Sequence, residues 1–137
     1  MTGPSGLAGY AQTDLIDPFE MFIGPIFERG EKGAREFALL VDPRHANRRD
    51  SLHGGMLMSF ADATLGAAAA DFAGSPMVVT LNMQSHFLAP APVGKLVLVA
   101  PELTRSTRSL LFVRGDFKVD GNIVMTAASI WKKLGSP

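Results

Sequence analysis

The chain has no cysteine among its 137 residues. Disulfides, a thiol nucleophile and cysteine-based zinc sites are therefore excluded. It also lacks net charge, since 13 basic residues balance 13 acidic ones. A nucleic-acid partner needs a basic footprint, so that class is set aside. The first 28 positions hold no Lys or Arg, only the acids Asp14, Asp17, Glu20 and Glu28. A secretory leader starts with positive charge, so a cytoplasmic protein is expected. Apolar runs long enough to span a membrane are missing too, and no membrane partner is expected. The three histidines, His45, His53 and His86, show no ligand spacing, so no metal site is expected. What is present is apolar bulk. Hydrophobic residues make up 47% and charged residues 19%, which suits one globular domain over residues 1–137 with a core to bury.

Residues 51–70 organise the rest. They read as one helix entered through the turn His53-Gly54-Gly55. Met, Leu, Phe and Ala fall on every side, the pattern of a buried helix. Yet Asp62 sits in the middle with no Lys or Arg anywhere in the stretch. A buried, unpaired carboxylate is costly, so Asp62 must find partners, neutralise or work. In an apolar setting it would be a stronger base than a solvated carboxylate. The glycines leave backbone N–H groups free at the positive end of the helix, where negative charge is stabilised.

Residues 1–12 are rich in Gly, Ser and Ala and are expected to be loose. A short helix is expected over 14–23, with Pro18 in its first turn after Asp17. Strands are expected over 26–29 and 34–41 around Gly30-Glu31-Lys32-Gly33, then a polar loop over 42–50. After Pro76 the period changes from 3.6 to 2. Over 78–88, Val79, Leu81, Met83 and Phe87 share one face, and Thr80, Asn82, Gln84 and His86 the other. Further strands follow over 95–104 (with Pro101 marking a bulge or edge), 110–119 and 122–134, the last two joined by Asp120-Gly121. One buried helix followed by long antiparallel strands predicts an α+β fold with a curved sheet wrapped round the helix.

His53 and Asp62 lie nine residues apart, about 13 Å along a helix. The Gly54 and Gly55 N–H groups and the Asp62 carboxylate therefore do not easily touch one substrate atom within one chain, unless His53 curls back. If they share a site, a second copy must bring its Asp62 to the first copy's His-Gly-Gly turn, and a two-fold dimer does this twice.

Asn47, His53-Gly54-Gly55, Asp62 nine residues after the histidine, Thr80-Leu81-Asn82-Met83 and the break Ala89-Pro90-Ala91-Pro92-Val93-Gly94 resemble the hotdog-fold acyl-CoA thioesterases, in particular the PaaI-like group. The resemblance covers about residues 24–134. It implies a hotdog fold, dimers often paired into tetramers, and hydrolysis of an acyl- or aryl-CoA to free acid and CoA without metal or redox cofactor. It implies that Asp62 activates water or attacks the thioester carbonyl, and that the Gly54 N–H forms the oxyanion hole. His53 and Asn47 would orient thioester and water, and Thr80 would assist Asp62. One departure is Asp50, where the group usually has Gly. Gly55 and Met56 are expected beside the substrate, and Arg105 and Arg108 near the CoA phosphates. Met58, Met83 and Phe60 are further candidates for an acyl pocket. Each residue has a plainer reading: Asn47 as a turn residue, Thr80 as a β-branched strand residue, the arginines as a solvated face. Two other functions fit the same residues, a hotdog hydratase or dehydratase and a non-catalytic acyl-CoA-binding protein.

Overall fold

The computed structural model describes residues 6–14 and 17–135. Around the long helix α2 (Gly54–Ala73) lie β1 (Ala11–Gln12), α1 (Pro18–Ile23), β2 (Phe27–Arg29), β3 (Glu36–Leu40), β4 (Val78–Phe87), β5 (Leu96–Val99), β6 (Glu102–Ser106), β7 (Leu110–Val119) and β8 (Asn122–Lys133). The strands form one antiparallel sheet in the order β1-β2-β3-β5-β7-β8-β4, with β6 added on β7. The helix-in-sheet arrangement expected from the sequence is the one present.

The helix α2 starts where the glycines and His53 dictate. His53 is its N-cap, and the Nδ1 atom accepts the Gly55 N–H at 2.9 Å. Ser51 and Leu52 precede the helix as β-bridge residues paired with Pro92 and Ala46. At the other end Gly74 takes the left-handed conformation (φ 68°) that closes a helix. Phe60, Ala61, Leu65 and Ala69 are wholly buried against the sheet, and the Phe60 ring meets Phe117 edge-on at 5.8 Å.

The other side of α2 corrects the sequence reading. Ser59, Ala63, Gly66, Ala67 and Ala70 are only half-buried, and Asp62 is exposed. Apolar residues all round therefore do not bury this helix within one chain, because among the described residues only the edge strand β4 and the short helix α1 border that side. The expected loose segment is corrected in part. Ala11 and Gln12 pair with Glu28 and Phe27, and Leu7 is buried; residues 1–5 lie outside the described residues. Of the helix expected over 14–23, the ordered turn is Pro18–Ile23, capped by Asp17 through Phe19 N–H at 2.8 Å. Residues 15 and 16 lie outside the description.

Two strand expectations also change. The strand expected over 95–104 is two strands, β5 and β6, which divide next to Pro101 because proline has no N–H for the ladder. In β4 the pairing with β8 slips between Thr80 and Asn82, a bulge at Leu81. One extra residue reverses the alternation. Thr80 before the bulge and Met83 after it consequently share the face toward α2, while Val79 and Leu81 are exposed.

Candidate active site

Asp62 stands on the open side of α2, and the bulged strand β4 brings Thr80 to it. The Thr80 Oγ1 donates to Asp62 Oδ1 at 2.8 Å. A cavity of about 350 Å³ opens there, lined by Asp17, Phe19, Glu20, Met58, Ser59, Asp62 and Met83. A larger one of about 1030 Å³ shares Asp17, Glu20 and Asp62 and runs along the small residues Ala63, Gly66 and Ala67 to Trp131 and Arg35. Its far end is fixed by Arg35, whose Nε and Nη2 bind the two Asp71 oxygens at 2.8 and 2.9 Å and whose Nη1 reaches Glu28 at 3.0 Å. Gly66 has no side chain because the Trp131 ring leaves no room: a Cβ there would lie 2.8 Å from Cη2.

The His53 turn lies at the start of the same helix. His53 does not curl back, because it is the N-cap, so its separation from Asp62 is the helical one, about 13 Å. With Nδ1 accepting from Gly55, a neutral His53 carries its proton on Nε2 and is a donor there. This bond corrects the expectation that both glycine N–H groups stand free. The Gly55 N–H is taken, and Gly54, the first helical residue, retains an N–H without an intrahelical acceptor.

The loop before the turn is held by its own residues. Asn47 Oδ1 accepts from Arg49 N at 2.8 Å and Ser51 N at 3.3 Å, the work of a turn residue. Asp50 has φ 56°. This is the left-handed region that glycine prefers and Asp tolerates, so the loop shape survives the departure from Gly. His45, given no role from the sequence, is buried and central to this loop. Its Nδ1 accepts from Asp42 N, its Nε2 meets Ile23 O at 2.7 Å, and its carbonyl accepts the His53 N–H at 2.9 Å.

The remaining candidates separate. Met58 and Met83 line the cavity beside Asp62. Met56 belongs to the buried core with Phe60 and lines neither cavity described above. Arg105 and Arg108 are exposed, on β6 and on the turn into β7, and neither lines those cavities. Sequence reasoning missed Asp17, Phe19 and Glu20. They are more than 40 residues before Asp62, and nothing local to them signals a site. Burial pushes the Glu20 carboxyl above its ordinary range, and the charges of Asp17 and Asp62 push it the same way. Among the described residues no group of three or more His, Asp or Glu could hold a metal ion, and no helix is long and apolar enough to cross a membrane.

Comparison with known proteins agrees with this layout. The family model described as "Thioesterase superfamily" matches residues 50–126, more than half of the chain. "Putative esterase PA0474" of Pseudomonas aeruginosa is 27% identical over 126 residues, 90% of this chain and 93% of that protein. Among solved structures, a mutant of the phenylacetic acid degradation protein PaaI from Thermus thermophilus superposes with a TM-score of 0.77 at 21% identity, covering 86% of this chain and all of that one. The E. coli PaaI protein gives 0.78 at 18% identity, over 88% and 87% of the two chains. Thioesterase superfamily member 2 of Mus musculus gives 0.76 at 16%, over 85% and 87%. At such identities the structural likeness is one of fold, and the fold is the hotdog.

Proposed function

The chain belongs to the thioesterase superfamily, and we propose from that premise that it hydrolyses an acyl- or aryl-CoA thioester in a site shared by two copies. The observation that carries the reading is Asp62, exposed on an uncovered helix face, held by Thr80 at 2.8 Å and opening on a cavity.

The Gly54 N–H of one copy receives the thioester oxygen at the positive end of its helix, and Asp62 of the other copy faces the carbonyl carbon. Acting as base, Asp62 takes a proton from water as the water oxygen bonds to that carbon. The oxyanion collapses, the C–S bond breaks, and the CoA thiolate takes the proton from Asp62. Acting as nucleophile, Asp62 displaces the thiolate itself, and water then opens the anhydride. Single turnover in ¹⁸O-water identifies the second route where water attacks Asp62 Cγ of the anhydride, because breaking the Cγ–O bond leaves an unlabelled oxygen of Asp62 in the first product. His53 orients the thioester through its Nε2–H, and the Asn47 amide does the same for the water. Arg105 and Arg108 meet the CoA phosphates.

The dimer is supported by β4. It ends the sheet order, runs ten residues and exposes Val79, Leu81 and Phe87. A long apolar edge strand is a template for a second strand, and a second copy across this edge also covers the open side of α2. Pairing of dimers into tetramers would follow the same family resemblance.

Release of free thiol from a panel of aryl- and alkyl-CoA thioesters tests the reaction. Turnover by the native chain that falls at least about 100-fold in Asp62→Asn is expected. Tight binding without cleavage would make the protein an acyl-CoA-binding module, and cleavage unaffected by the substitution would remove Asp62 from the chemistry.

A further inference from the structure

The wall opposite Asp62 carries a charge that hydrolysis of a thioester does not need. Glu20 lines both cavities with Asp62. It is half-buried, and among the described residues no hydrogen-bond donor engages its carboxylate. Its two acidic neighbours are occupied: Asp17 Oδ1 accepts from the N–H groups of Phe19 and Glu20 at 2.8 and 3.2 Å, and Asp62 accepts from Thr80. Among the described residues no Lys or Arg lines the smaller cavity. Ser59 and the apolar Phe19, Met58 and Met83 make up the rest of its wall. The space next to Asp62 thus has an apolar wall and three carboxylates, of which, among the described residues, only that of Glu20 accepts no hydrogen bond.

We propose that Glu20 sets the acyl specificity of the site, excluding acyl groups that carry a carboxylate of their own and admitting uncharged ones. The inference rests on the thioesterase reading for the identity of the substrate, and on the cavity for its chemistry. A like charge a few ångströms away in a partly desolvated chamber costs roughly ten- to a hundredfold in affinity. An acyl group without charge meets the methionine and phenylalanine walls and leaves Glu20 solvated at the rim. The burial and neighbouring charges that raise the Glu20 carboxyl express the same crowding, and Lys32 and Arg35 of the larger cavity do not line the smaller one.

The test uses pairs matched in carbon count. For the full-length protein, kcat/KM is measured with hexanoyl-CoA and adipyl-CoA, and affinity with the uncleavable thioethers S-hexyl-CoA and S-(5-carboxypentyl)-CoA. The native chain is expected to prefer the uncharged member of each pair by at least about 30-fold. Glu20→Gln, which keeps size and removes charge, is expected to reduce that preference about tenfold, and Glu20→Lys to abolish it. Asp17→Asn retains the helix cap and is expected to change it less. An unchanged ratio in both Glu20 variants, or no preference in the native chain, overturns the proposal even where thioesters are cleaved. If S-hexyl-CoA binds in preference to its carboxylated partner but no thioester is hydrolysed, the filter stands and the hydrolase reading falls. Binding of neither thioether together with cleavage of neither thioester overturns both.

Discussion

One side of α2 is finished by the chain itself and the other is not. Phe60, Ala61, Leu65 and Ala69 are sealed against the sheet. Ser59, Asp62, Ala63 and Gly66, on the opposite side of the wheel, face cavities and solvent. The sealed side carries the large apolar residues Phe60 and Leu65, and the open side only small residues besides Asp62. Covering follows the same division: β7 and β8 lie under the first, and only a bulged edge strand and a six-residue helix border the second. The buried side is expected to determine stability, and the open side chemistry.

Paired substitutions on one helix give the strongest contrast. Phe60→Ala is expected to cost about 3–5 kcal/mol in urea unfolding. Asp62→Asn is expected to cost under about 1 kcal/mol while lowering thiol release at least about 100-fold. A large stability loss from Asp62→Asn would place it with the buried side. Next in size is Thr80. A hydrogen bond to a charged group contributes about 1.5–3 kcal/mol, reduced by exposure here, so Thr80→Val is expected to lower kcat about tenfold with little change in Tm. Thr80→Ser, which restores the hydroxyl, is expected to recover most of that loss. A merely structural Thr80 would instead show the same Tm change in both variants and no recovery of kcat.

Gly66 lies on the open side, against the buried Trp131 ring. The Cβ of Gly66→Ala would approach Trp131 to 2.8 Å, an overpacking cost of about 1–3 kcal/mol against about 1 kcal/mol gained in helix propensity. A net loss near 1 kcal/mol in urea unfolding is expected, and a net gain would mean that the ring yields. The smallest effect belongs to Glu20. Its carboxyl is raised by burial, then by Asp17 and Asp62, so the folded chain holds this proton to higher pH than the unfolded chain. Stability from this group is therefore present at low pH and lost as pH rises through the raised value. Glu20→Gln removes the dependence. It is expected to raise Tm at pH 7–8 by about 1–2 °C, discounted for exposure, with the gain vanishing below the ordinary carboxylate range near about 4.3.

What the sequence made legible was local. Alternation placed β7 over residues 110–119, and Asp120-Gly121 signalled its turn, where both residues have positive φ. The His-Gly-Gly entry and the Asp17-Pro18 helix start were readable because capping chemistry is written within three or four residues. The link between Asp62 and Thr80 came from the family resemblance, since the strand pattern alone put Thr80 on the wrong face. The bulge at Leu81 that corrects this depends on pairing with β8, a long-range event without a local mark. Glu20 was hidden for the same reason, because only the folded chain places α1 beside the middle of α2. The open side of the helix was misread because periodicity records where apolar residues are, and not what covers them.

The central claim is that Gly54 and Asp62 act across two copies. Gly54→Pro removes the one N–H proposed for the oxyanion. Proline suits the first helical position, and His53 at φ −60° and ψ 136° already has the backbone that precedes a proline. This variant and Asp62→Asn are each expected to be nearly inactive as homodimers. The decisive measurement is thiol release by a purified mixed dimer carrying one chain of each. A shared site leaves one of the two positions intact, so about half of the native turnover per dimer is predicted. A mixed dimer as inactive as its parents would place both groups in a single-chain site and contradict the account.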